Sequence, residues 1–70
     1  MQWKTVTGTV MRKGNDKASG RRYLIVRSSA LDVDKVVSVS QHDYEHLEQG
    51  MLVTLRQMGW GAFSMWRLTQ

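Results

Sequence analysis

Two short stretches of this sequence hold residue types that do chemistry. The first is His42-Asp43-Tyr44-Glu45-His46. It fits the pattern His-x-x-Glu-His, in which two histidines one helical turn apart bind zinc and the glutamate activates the metal-bound water. The second is Arg12-Lys13-Gly14-Asn15-Asp16-Lys17-Ala18-Ser19-Gly20-Arg21-Arg22, which holds five bases and one acid. Bases at this density attract phosphates and release their counterions.

The zinc pattern does not survive its surroundings. The helix that would carry it is short, and no third ligand stands on a following helix. A chain of 70 residues also has little room for a substrate cleft around a buried site. Ser40, His42 and Asp43 make no Ser-His-Asp triad, because residues this close on one turn point in different directions. Gly14 and Gly20 bracket a lysine, but no Gly-Lys-Ser/Thr sequence leads into a helix, so no phosphate-binding loop of that kind is present. There is no Cys, hence no thiol nucleophile, disulfide or thiolate metal site. The expectation is a protein with no catalytic residues, no metal site and no cofactor.

The charge is informative through its placement. The formal net charge is +4 and the pI about 10.0. The basic stretch alone accounts for the whole excess. Elsewhere Lys4, Arg27, Lys35, Arg56 and Arg67 balance Asp32, Asp34, Asp43, Glu45 and Glu48. A local excess points to an anionic partner. The longest apolar run, Tyr23-Leu24-Ile25-Val26, is far below the ~20 residues that span a bilayer. The opening residues show no basic region followed by an apolar run, so no signal peptide is expected. With the lack of Cys, this fits a cytoplasmic location.

The elements that must position these groups are mostly strands. Seventy residues are expected to form one domain, residues 1–70, with a core drawn from the 41% of apolar residues. Trp3 to Arg12 alternates, with Val6 and Val10 on one face and Trp3, Thr5, Thr7, Thr9 and Met11 on the other. Gly14, Asn15, Asp16, Ser19 and Gly20 mark a turn or loop. Tyr23 to Arg27 and Lys35 to Val39 are compact β runs. Ser40 to Gly50 reads as a short helix, with Ser40 as N-cap, Tyr44 and Leu47 facing the core, and Gly50 as the stop. Met51 to Met58 resumes alternation, Gly59-Trp60-Gly61 is a turn, and Ala62 to Leu68 is the last strand. Met11, Met51, Met58 and Met65 read as core filler. Trp3, Phe63 and Trp66 read as core or wall.

The order β-β-β-α-β-β predicts an all-β fold: a five-stranded, OB-like Greek-key small barrel with a short helix between strands 3 and 4. The alternative is an SH3-like barrel, whose helical turn falls later in the chain. The residues Val37, Val39, Ser40, Tyr44, Leu47, Gly50, Val53, Leu55, Gly59 and Gly61, with the earlier Thr7 to Val10, carry a resemblance. Strand, Ser, Tyr-x-x-Leu-x-x-Gly turn, Val-rich strand and Gly hairpin resemble small β-barrel domains of uncharacterised bacterial proteins, often attached to membrane segments. Those domains usually have an acid after the turn glycine, where this chain has Met51. The resemblance implies a fold and a placement of turns, and no activity.

In such a barrel, the loops after strands 1 and 4 flank a ligand face on strands 2 and 3. The expected site is therefore Arg12, Lys13, Lys17, Arg21 and Arg22 as phosphate contacts, Tyr23 and Trp60 as stacking platforms, and Arg27 beside them. The expected partner is single-stranded DNA or RNA. The alternative is a protein-interaction module that pairs through an open edge strand, with the Thr-rich first strand as the candidate edge.

Overall fold

The computed structural model describes residues 4–59 and 65–69. Five strands and one helix follow in the order β1 (Thr5–Asp16), β2 (Arg21–Arg27), β3 (Lys35–Val39), α1 (Gln41–His46), β4 (Leu52–Met58) and β5 (Met65–Thr69). The strands form one antiparallel sheet in the order β3-β2-β1-β4-β5. The fold is thus all-β with a single short helix, as the alternation implies. The strands run as expected in type and sequence, and β3 has the expected bounds.

β1 is the organising strand. Its first half pairs with β4, Thr5 opposite Arg56 through Thr9 opposite Leu52. Its second half pairs with β2, Thr9 opposite Arg27 through Asp16 opposite Arg21. Between the halves the register shifts at Val10 to Arg12, so Met11 is the extra residue of a bulge. A bulge bends its strand and increases the local twist. The bend lets one strand serve two halves of the sheet and wraps both around a common interior.

That interior is small and aliphatic: Val6, Val10, Leu24, Val26, Val37, Val53 and Leu55. Leu31, Val39, Leu47, Trp66 and Leu68 pack against it. Each buried residue obeys the two-residue period of its strand. Ser28 is the one buried polar side chain among the described residues. Its hydroxyl donates to the Thr7 carbonyl at 2.8 Å and accepts from the Ala30 amide at 3.2 Å, which removes the cost of burying it.

Several expectations change here. The sheet is not closed into a barrel: among the described residues no ladder joins β3 to β5. Among the described residues the outermost strands of the sheet are β3 and β5. The Thr-rich first strand has a neighbour on both sides and is no edge at all. Met51, Met58 and Met65 are exposed rather than core filler. Val53 and Leu55 take the inward positions of β4, which turns Met58 outward opposite Met65. Trp66 does pack against the core; Trp3 and Phe63 lie outside the described residues.

The helix is shorter than the sequence suggests. Ser40 caps it as expected, its hydroxyl accepting from the Asp43 amide at 3.2 Å. The chain leaves the helix at Leu47, which is extended at φ −100°, before Gly50 is reached. Gly50 instead adopts φ +91° in the turn that enters β4, a conformation that glycine takes without steric cost.

Candidate nucleic-acid interface

The basic stretch is a hairpin and not a loop. β1 continues to Asp16, β2 begins at Arg21, and only residues 17–20 form the turn. The turn is held by local bonds. The Gly20 amide donates to the Asp16 carbonyl at 2.7 Å. The Ala18 amide donates to the Asp16 carboxylate at 3.0 Å, and the Arg21 amide to the Ser19 hydroxyl at 3.3 Å. These are the local bonds that Asp and Ser side chains offer a turn.

Strand geometry therefore sorts the charges by face. Residues directly opposite in an antiparallel pair share a face. Leu24 points inward and lies opposite Lys13, so Lys13 is inward-facing, and so is Arg22 opposite Asn15. Arg12 lies opposite Ile25, and Arg21 opposite Asp16, on the outer face. Tyr23, Ile25 and Arg27 share that outer face by alternation. β3 adds Ser38 opposite Tyr23 and Val36 opposite Ile25. Lys17 sits at the turn tip.

Tyr23 is the centre of the outer face. Its register partner is Gly14, and a Cβ at that position would run into the Tyr23 ring. The ring thus lies across the Gly14 backbone and stays half exposed. Arg12 and Arg21 are its near neighbours on the same face. Val36 beside it is 65% exposed, an apolar surface next to an aromatic one. Ile25, Val36 and Ser38 were not singled out from the sequence. The alternation of Lys35 to Val39 would reveal them once Val37 is known to point inward.

Two of the expected contacts have other partners. The Lys13 ammonium donates to the Tyr44 carbonyl at 2.6 Å, sits 4.6 Å from the Tyr44 ring centroid and meets the Glu48 carboxylate at 3.4 Å. It fastens α1 to the sheet. We expect Lys13→Met to lower stability by about 1–2 kcal/mol, the scale of a charged hydrogen bond and a cation–π contact. Thermal denaturation checks this, with oligonucleotide affinity expected to change little.

Arg27 is held by a two-point pair: its Nε donates to one Asp34 oxygen at 3.0 Å and Nη2 to the other at 3.2 Å. This hydrogen-bonded pairing holds the Asp34 carboxyl below its ordinary pKa and raises that of Arg27. A depressed carboxylate contributes stability above its unfolded pKa and loses it as pH falls through the folded value. At neutral pH the pair is formed and Arg27 is partly neutralised. Asp34→Asn removes one negative charge and releases the guanidinium. We expect tighter oligonucleotide binding by about 3- to 10-fold at low salt, the size of one added phosphate contact, in an anisotropy titration.

His42 and His46 stack on each other, ring centroids 4.2 Å apart at 29°, and both are exposed. The His46 Nδ1 lies 2.7 Å from the His42 carbonyl oxygen. Among the described residues no three His, Cys, Asp or Glu side chains come together as a metal-binding group. Among them, too, no helix is long and apolar enough to cross a membrane. Trp60 lies outside the described residues. No protein-family model matches the chain, and no curated protein or solved structure matches it.

Proposed function

We propose that this chain is a non-enzymatic, OB-like binding module for single-stranded nucleic acid, its ligand lying on the outer face of β1, β2 and β3. The fold reading is supported by connectivity. β1 is shared between β2 and β4, β1-β2-β3 is a meander, and the helix precedes β4. An OB-type barrel has these features, and here its seam falls between β3 and β5.

The observation that carries the reading is Tyr23 laid over Gly14, with Arg12 and Arg21 beside it and exposed Val36 on the next strand. An aromatic face offers stacking to any base, and flanking guanidiniums hold the phosphates that join the bases. Arg27 joins this set when Asp34 yields it. Lys17 and Arg22 add charge at the turn and the inner side, and Trp60 follows β4 as a further stacking candidate. Lys13 is the weakest of the group, because its ammonium is already engaged.

The test is a fluorescence anisotropy titration of labelled oligothymidylate at two salt concentrations. Binding should weaken as salt rises, and Tyr23→Ala should weaken it by about 1–3 kcal/mol, the scale of one base–aromatic stack. No binding at low salt would refute the proposal. The protein-interaction reading attaches to the outermost strands, β3 and β5. It would be favoured by a stable dimer in light scattering together with no oligonucleotide binding.

A further inference from the structure

Arg56 on β4 and Arg67 on β5 lie directly opposite each other, and both are exposed. Like charges in this arrangement repel and destabilise a strand pair. Neither β4 nor β5 carries an acidic side chain of its own to set against Arg56 or Arg67. Two guanidiniums held at a cost to the sheet are well placed for an anion that neither strand supplies.

Arg67 also lines a cleft of about 520 Å³ between β3 and β5, with Arg21 on the opposite wall. Ser38 and Trp66 contribute to the walls, and Asp43 is the one acid on the rim. The cleft is an extension of the outer face, because Ser38 is the register partner of Tyr23. β2 to β3 is one strand spacing, about 4.8 Å, and the Cα atoms of β3 and β5 come within 8 Å. An inserted strand would need two spacings, about 9.6 Å, so where the strands approach the gap does not suit an added β-strand. A flexible anionic chain passing over it has no such requirement.

We propose that this cleft is a phosphodiester site that extends the track. Single-stranded nucleic acid leaves the Tyr23 face with a phosphate against Arg21, crosses β3, and sets the following phosphates against the Arg67–Arg56 pair. This rests on the function proposed above, and it adds a direction: the strand runs across the sheet and not along the hairpin.

The experiment compares the native chain with Arg56→Gln/Arg67→Gln, using oligothymidylates of about 4 and about 12 nucleotides, within the span of one such face. The native chain should bind the long oligomer more tightly than the short one. The variant should lose that gain and keep its affinity for the short oligomer. Its slope of log K against log salt for the long oligomer should fall by about 1.4, or about 0.7 for each lost phosphate contact on a single strand. Its melting temperature should not fall, because the variant relieves a repulsion.

Unchanged binding of the long oligomer, with Tyr23→Ala still weakening both lengths, would overturn the cleft proposal and leave the proposed function standing. So would an equal loss at both lengths, or a melting temperature lowered by several degrees. A native chain that binds neither oligomer would overturn both.

Discussion

Gly8→Ala is expected to lower the melting temperature by about 10–20 °C. A Cβ at Gly8 would stand 2.6 Å from Cγ1 of Val26 and 2.8 Å from the carbonyl oxygen of Arg27. Neither neighbour can yield. Val26 is fully buried, and its branched side chain has little rotameric freedom. The Arg27 oxygen is backbone. Overpacking of this kind costs about 1–3 kcal/mol. A domain of this size has a total stability of roughly 4–10 kcal/mol, and each kcal/mol shifts the midpoint by about 4–8 °C. Thermal denaturation followed by circular dichroism checks the shift. A midpoint within a few degrees of the native chain would mean that β1 and β2 do not meet as closely at Gly8 as described.

Arg12→Glu/Arg21→Glu is expected to reduce oligonucleotide affinity by at least about 100-fold, since two charged hydrogen bonds of about 1.5–3 kcal/mol each are lost. It should also flatten the salt dependence, because two phosphate contacts are gone. The fold should survive, since both side chains are exposed. The double reversal brings the formal net charge from +4 to zero, so charge alone must be separated from position. Lys17→Glu/Arg22→Glu makes the same change at the turn tip and the inner side of the same hairpin. It should cost no more than about 10-fold. Equal losses for the two variants would mean that bulk charge, and not the Tyr23 face, governs binding.

The contrast between those variants rests on a distinction that composition hides. Read as a string, the five bases form one loop. Gly14, Asn15 and Asp16 look like turn residues, and each is a poor strand former on its own. In the fold Gly14 is a strand residue because the Tyr23 ring needs the space a side chain would fill. That need is set by a residue nine positions away, and no local propensity encodes it. Once β1 extends to Asp16, the period of two sends Arg12 and Lys13 to opposite faces, and Arg21 and Arg22 likewise.

Other features were legible for local reasons. Lys35 to Val39 is a compact Val-rich run bounded by Asp34 and Ser40, so its limits could be read directly. Ser40 as a cap follows from its place ahead of a polar segment with Asp43 in the first turn. What depends on distant partners was not legible: the gap between β3 and β5, the central place of β1, and the outward turn of Met58 and Met65. Each follows from which strands pair, and strand pairing is a long-range property. The aliphatic core of β1, β2, β3 and β4 lay between these cases. Alternation placed Val6 and Val10 correctly, while the methionines were drawn inward by hydrophobicity alone.

The most direct measurement of the account is a two-dimensional amide NMR titration of the native chain with a short oligothymidylate. Perturbations are expected at Arg12, Tyr23, Ile25, Val36 and Ser38, on one face of three strands, and should diminish as salt is raised. No perturbation at low salt, or perturbations confined to α1 and the outer face of β4 away from Tyr23, would contradict it.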